Sequence, residues 1–413
     1  MKKMPNINAE RLIGDLKRLR QFGAKPPGVV RPAFSEADME ARKWLKDQYT
    51  EAGLEASIDG IGNVLGRSKN PGPALLIGSH SDSQPTGGWL DGAMGVIYGL
   101  EIVRALTEDS DTRQLAVDAV SWQDEESRFF SSMGSRSFSG QLPPGTLDGL
   151  CDKEGYPLEK ALDSAGLKGI PLSKMEQGRY LGYLEGHIEQ GPQLELEQKK
   201  IGVVSSIVGI GGTVFNFKGI QNHAGTTMMN IRKDASTALY RLASRINEEF
   251  PKVAGEHSVW TMGRAVLNPG APSIVPGSAE LELQYRDASM DVLEAFGQTV
   301  ERLMEEINEM GGATVESRPS RIQIPPCDMD SNFQKHLSKA AEVHASDQWK
   351  TMPSGAFHDA GILQEVIPCG MLFIPSIGGV SHDFSENSHD EDIILGCQVM
   401  VDAAASLLQE KSI

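Results

Sequence analysis

The 413-residue sequence predicts an α/β protein with a parallel or mixed sheet, interrupted by a separate α+β module. Two patterns carry this expectation. The N-terminal half and the C-terminal end alternate helical periodicity with short, continuously apolar runs, which is how strands buried on both faces are written. Between about Gly209 and about Arg321 the strands alternate apolar with polar residues, as strands with one solvated face do, and two long amphipathic helices separate them.

In chain order, Asn8 caps a helix with Leu12, Leu16 and Leu19 on one face, and Ser35 with Asp38 three residues later resembles a capping box for the next helix. Ala74–Ile77 is a buried strand that ends in Gly78-Ser79-His80, and helical spacing follows from Ala93 to Leu106. Leu115–Val120 is a second such strand, ending just before Asp124-Glu125-Glu126. The alternating strands are Thr213–Gly219, Val259–Met262 and Ala279–Arg286, with helices over about Lys233–Glu249 and Met290–Met310. That order is a βαββαβ pattern. Met371–Ile374 is a third buried strand, and a helix over about Asp390–Gln409 returns to the first domain. The expected domains are 1–209 with 322–413, and an inserted 210–321. Gly209, Gly211 and Gly212 are expected as the entry hinge.

Hydrophobic residues make up 39% and charged residues 23%, the profile of an ordinary soluble protein. A net charge of −17 argues against a nucleic-acid surface and leaves no basic stripe for anionic membranes. No run reaches the roughly 20 apolar residues of a membrane helix, and the first residues hold no apolar run of signal-peptide length. Four cysteines without C-x-x-C spacing read as reduced thiols, so a cytoplasmic setting is expected.

Five short segments carry the chemistry: His80-Ser-Asp82, Asp91-Gly92, Asp124-Glu125-Glu126, His187-Ile-Glu189-Gln190-Gly191 and Ser381-His382. Three of them follow apolar strands, where open α/β sheets bind their ligands. Together they supply His, Asp, Glu, His and His, a set suited to two divalent cations sharing one carboxylate. Such a pair can activate water and polarise a carbonyl, which is equipment for hydrolysing an amide. Asp82 is placed to hold the second nitrogen of His80. Taken singly, each residue has a plainer role: Asp91 as a helix-start residue, Glu125-Glu126 as a solvated face, His187 as a core histidine and His382 as a loop histidine.

Longer motifs add a resemblance. Gly78-Ser-His-Ser-Asp-Ser83 with Asp91-Gly92, Gln123-Asp-Glu-Glu126, Glu185-Gly-His-Ile-Glu-Gln-Gly-Pro192, Asn222-His-Ala-Gly-Thr-Thr227, Ser354-Gly-Ala-Phe-His-Asp-Ala360 and Pro375-Ser-Ile-Gly-Gly-Val-Ser-His382 occur in this order. The chain resembles, end to end, the carbamoylase and allantoate-amidohydrolase branch of the dinuclear zinc peptidases. The resemblance implies a zinc-peptidase-like catalytic domain with an inserted lid and dimerisation domain. It implies one metal on His80, Asp91 and His187, and another on Asp91, Glu126 and His382. Zinc is the favoured ion, with manganese, cobalt or nickel compatible with the same ligands. Glu125 is implied as general base and acid.

His223 is implied as the oxyanion donor, reaching the active site of a neighbouring subunit in a homodimer. Arg286 would hold the carboxylate of a small-molecule substrate, Gln190 would contact that substrate and His358 would line its pocket. Ser273 stands where many relatives carry an asparagine that helps bind the carboxylate, Phe357 where a glycine is common and Met228 where a proline is frequent. The implied reaction cleaves the C–N bond of an N-carbamoyl (ureido) acid and releases ammonia and carbon dioxide. An N-acyl amino acid amidase or dipeptidase is the alternative, and a catalytically silent metal-binding protein a remoter one.

Overall fold

The computed structural model describes residues 5–320 and 323–410, which fall into two compact units, 1–205 with 329–413 and 206–328. The second unit starts at Ser206 because Ser206 and Ile207 pair antiparallel with Asp328 and Cys327. The boundary expected between 321 and 322 lies outside the described residues, as do residues 1–4.

The first unit is built on a mixed sheet in which four neighbouring strands run parallel. Their order is Cys369–Ile374, Tyr180–Ile188, Ala74–His80 and Val117–Trp122. Antiparallel strands flank them: Ile201–Ile207 on one side, and Val64–Arg67 followed by Glu55–Ile58 on the other. Every residue of Ala74–His80, Val117–Trp122 and Cys369–Ile374 is buried. Both faces of these strands are therefore covered, which is why their sequences are mostly apolar rather than alternating, with Asp118 and Ser121 as buried polar exceptions.

The helices Ala9–Leu19, Ala93–Glu108 and Asp390–Glu410 share one core with the sheet. Asn8 caps the first as expected, its side chain accepting from Arg11 N–H, and Leu12, Leu16 and Leu19 are buried. At the start of Glu36–Glu51 the box is displaced by one residue. Ser35 accepts from Asp38 N–H at 3.2 Å, but Asp38 reaches back to Phe34 N–H (2.7 Å). Among the described residues no helix is long and apolar enough to cross a membrane.

The second unit is an antiparallel sheet with strand order Val259–Asn268, Ser278–Asp287, Gly209–Lys218 and Thr314–Pro319. The helices Ala235–Glu249 and Met290–Glu309 share its core, giving the βαββαβ order. Ser278–Asp287 is half-buried and buried in strict alternation. Gly209, Gly211 and Gly212 are paired residues of a strand rather than a hinge. Their lack of a side chain has a packing cause: a Cβ on Gly211 would lie 2.3 Å from the Tyr285 ring, and one on Gly212 2.6 Å from Leu283 O.

Candidate active site

The parallel strands open their carboxyl ends on one edge, and that edge collects the polar segments. His80 is the last residue of its strand, and His187 the last but one of Tyr180–Ile188. Glu125 and Glu126 follow Val117–Trp122, and His382 follows Cys369–Ile374. Asp91 precedes the Ala93–Glu108 helix, whose cap is Gly92 with no side-chain bond, so its carboxylate is not spent on the helix end. Gly92 has φ +64°, and a Cβ there would lie 2.4 Å from the His80 ring. Glycine is what lets this loop bring Asp91 against the histidine.

The two oxygens of Asp91 face different partners. Oδ1 lies 3.2 Å from His187 Nε2 and 3.8 Å from His80 Nε2. Oδ2 lies 3.2 Å from His382 Nε2, which is 3.9 Å from Glu126 Oε2. His80, Asp91 and His187 form one group within ligating range, and Asp91, Glu126 and His382 another. Glu125 Oε2 lies 3.7 Å from His80 Nε2 and belongs to neither group. The side chains of Glu125 and Glu126 are only 11% and 9% exposed, which rules out a solvated face.

These donors fit divalent cations. His80 Nδ1 lies 3.1 Å from Asp82 O, and His187 Nδ1 2.9 Å from Ile188 O. A ring that donates from Nδ1 turns the lone pair of Nε2 towards the Asp91 carboxylate. Two acceptors that close repel unless a proton or a cation lies between them. Glu126 Oε1 is buried without a hydrogen-bond partner, a costly state for a carboxylate beside this site. A third grouping, Glu185, His187 and His358, is also within range. In it Glu185 accepts from Ser79 Oγ (2.6 Å) and Ala360 N–H (2.9 Å), and His358 Nε2 lies 2.9 Å from Ser354 Oγ.

Protons do part of this work while no cation is bound. Burial alone lowers the pKa of His187, but the adjacent Asp91 carboxylate overrides it and raises the group to about 9. His80 is pushed down to about 4, chiefly by burial. Burial and then the Asp91 charge hold the Glu126 carboxyl well above the usual range, and burial and then the Glu126 charge do the same for Glu125. Metal binding must expel the protons on His187 and Glu126, so affinity should rise with pH towards 9 and fall as pH drops. Calorimetric titration with zinc near pH 7, in two buffers of different ionisation enthalpy, should give different heats. Equal heats would contradict the assignment.

Asp82 works differently from the sequence-based expectation. Its backbone carbonyl, not its carboxylate, takes the His80 nitrogen; Oδ1 lies 3.9 Å away. The carboxylate accepts from Glu126 N–H (3.3 Å) and sits 3.6 Å from Arg42 Nη2. Arg42 is fully buried, pairs with Asp38 at 2.8 Å and donates to Trp122 O (3.0 Å), anchoring the strand end from which Glu125 and Glu126 project. Asp124, at φ +56°, accepts from the N–H groups of Arg128, Phe129 and Phe130 and so folds the turn that presents them.

Gln190 Nε2 lies 3.1 Å from both Asp91 Oδ2 and Ser381 Oγ, so its amide nitrogen is committed to the site itself. His358 is 3% exposed and packs edge-on against His187, ring centroids 4.6 Å apart. Sequence reasoning missed two groups. Gln84 donates to Glu126 Oε2 at 2.6 Å, and Glu386, 1% exposed, accepts from Asp91 N–H at 3.0 Å. Neither is set apart by motif or spacing.

In the second unit, His223 is exposed in the short strand Asn222–His223, paired with Ile274–Val275. Its Nδ1 accepts from Gly225 N–H (3.1 Å), which assigns the ring proton to Nε2. Ser273 O accepts from Ala224 N–H (2.9 Å), and half-buried Arg286 donates to Gln284 Oε1 (3.1 Å).

Residues 76–406 match the model of peptidase family M20/M25/M40. The chain is 32% identical to the N-carbamoyl-L-amino acid amidohydrolase of Geobacillus stearothermophilus, over 98% of this chain and 99% of that one. It is 31% identical to the allantoate amidohydrolase of Escherichia coli, over 92% and 94%. A crystal structure of an amidase of the hydantoinase/carbamoylase family from Burkholderia phymatum superimposes with a TM-score of 0.94 at 48% identity, covering 99% of this chain and all of that one. The chain thus belongs to peptidase family M20/M25/M40 and, within it, to the amidohydrolases of the hydantoinase/carbamoylase type.

Proposed function

We propose that the protein hydrolyses the C–N bond of an N-carbamoyl amino acid or a related ureido acid, releasing ammonia, carbon dioxide and an amine. The observation that carries this is the Asp91 carboxylate, one oxygen facing His80 and His187 and the other His382, with buried Glu125 alongside. The family is metal-dependent, and the chain holds candidate ligand clusters. In our reading there are two ions, one on His80, Asp91 and His187 and one on Asp91, Glu126 and His382. Zinc suits the imidazole-rich set; manganese, cobalt and nickel are compatible. When bound, such ions polarise a carbonyl and lower the pKa of water towards neutrality.

The remaining work falls to the side chains. Glu125 takes a proton from the attacking water and delivers it to the leaving nitrogen. His223, with its proton on Nε2, donates to the carbonyl oxygen as that oxygen gains charge. Arg286 offers a planar guanidinium for the substrate carboxylate, with Ser273, Gln190 and His358 as further contacts. The inserted domain serves as lid and homodimer interface. Four cysteines without C-x-x-C spacing, Cys151, Cys327, Cys369 and Cys397, support a reducing, cytoplasmic setting.

Purified, metal-loaded protein offered N-carbamoyl, N-acetyl and ureido acids tests the reading. Ammonia release from the carbamoyl or ureido substrates is expected; turnover of the acetyl compounds alone would favour an N-acyl amidase. His223→Ala should lower kcat by about a hundredfold or more, since losing an oxyanion donor costs roughly 2.7–4 kcal/mol. Metal content should be unchanged in that variant. A parallel loss of metal would show that His223 acts otherwise.

A further inference from the structure

We propose that Glu386 is a positioning residue: its buried carboxylate ties the loop bearing Asp91 to the loop bearing His382 and, through Ser381, steadies the Gln190 amide that donates to Asp91. The proposal rests on the metal-site reading above.

The N–H groups of Leu90 (3.2 Å) and Asp91 (3.0 Å) both donate to Glu386 Oε1, and Ser381 Oγ donates to Oε2 (2.9 Å). The loop before Asp91 is shaped around this carboxylate: a Cβ on Gly88 would lie 1.9 Å from Oε1. On the other side, Gln190 Nε2 lies 3.1 Å from Asp91 Oδ2 and from Ser381 Oγ. An ionised carboxylate only accepts, so the amide end turned to Asp91 must be the nitrogen. That nitrogen also donates to Ser381, whose own proton is then left for Glu386.

Asp91 N–H, Glu386, Ser381, Gln190 and the Asp91 carboxylate therefore form a closed ring of hydrogen bonds. The Asp91 carboxylate fixes the Gln190 nitrogen, whose Nε2 also lies 3.4 Å from His382 Nε2, and Glu386 accepts from Ser381 Oγ. The Gln190 stem is held as well, since its backbone N–H donates to Ser376 Oγ (3.1 Å) at φ +58°. The ring clamps Asp91 at its backbone and at its side chain together.

Glu386→Gln keeps the shape and breaks the direction. With its oxygen on Leu90 and Asp91, the new amide places N–H groups against Ser381. Ser381 Oγ then accepts from both amides and its own proton loses the Glu386 acceptor, so the link from Glu386 to Gln190 no longer has a fixed direction.

The test is a double-mutant cycle of E386Q and Q190A, read as kcat, bound metal by mass spectrometry and Tm. E386Q should lower kcat by about tenfold or more in the wild-type background and by less than about twofold in Q190A, with metal content and Tm close to those of each parent. Ser381→Ala removes the same link without touching Glu386; it should lower kcat similarly, and adding E386Q to it should cost little more. An equal E386Q loss in both backgrounds would overturn the proposal, because Glu386 would then act by holding the loops alone. So would metal lost in step with kcat. Wild-type protein that binds no divalent metal would instead remove the metal-site reading on which the proposal stands.

Discussion

Asp91→Asn is expected to strip the site of metal and abolish turnover within assay limits. Asparagine keeps the size of the side chain but replaces one acceptor oxygen by a donor and removes the charge. Whichever way the amide turns, an N–H₂ faces either the His80 and His187 pair or His382, which now stand 3.2–3.8 Å from the two oxygens. Interactions with a charged group are each worth about 1.5–3 kcal/mol, so losing the acceptor on the side the N–H₂ faces and the charge on the other costs about 3–6 kcal/mol. That is roughly 10²–10⁴-fold in metal affinity. Metal analysis after dialysis and residual kcat at saturating metal check it. A variant that retains two tightly held ions would remove Asp91 from its bridging role.

Glu125→Gln should separate chemistry from metal binding. General acid–base catalysis contributes typically about 10²–10⁴-fold, and an amide can neither accept the proton from water nor deliver one to nitrogen. Since Glu125 stands outside both ligating groups, metal content should match the wild type while kcat falls by about that factor. The result that would count against the assignment is metal lost in proportion to activity, or a kcat within about tenfold of wild type. The contrast between the Asp91 and Glu125 variants matters more than either alone, because a structural metal site has ligands but no use for a spare base.

Much of the framework was legible in the sequence for physical reasons. Strands buried on both faces tend to be continuously apolar, so Ala74–Ile77 and Met371–Ile374 announced themselves, and the polar residues closing such runs marked the functional edge. The alternation in Ser278–Asp287 was equally plain because one of its faces is buried. What could not be read were contacts made by backbone and by tertiary burial. His80 is held by the Asp82 carbonyl, a group every residue carries, so the sequence pointed to the carboxylate instead. Arg42 sits in a helix rich in charged residues and gives no sign of being fully buried behind the strand ends. Glu386 is hidden among Asp383, Ser385 and Asn387, and only the packing on Gly88 singles it out. The glycines expected as a hinge answer to close strand packing, a demand that leaves the same residue type in the sequence.

The central claim is that Asp91 shares its two oxygens between two cations while Glu125 binds neither. Anomalous diffraction at the zinc edge from metal-loaded crystals tests it most directly. The expected result is two peaks per chain, one among His80, Asp91 and His187 and one among Asp91, Glu126 and His382, with Glu125 outside coordinating distance of both. A single peak, or a pair in which Asp91 touches only one ion, would contradict it.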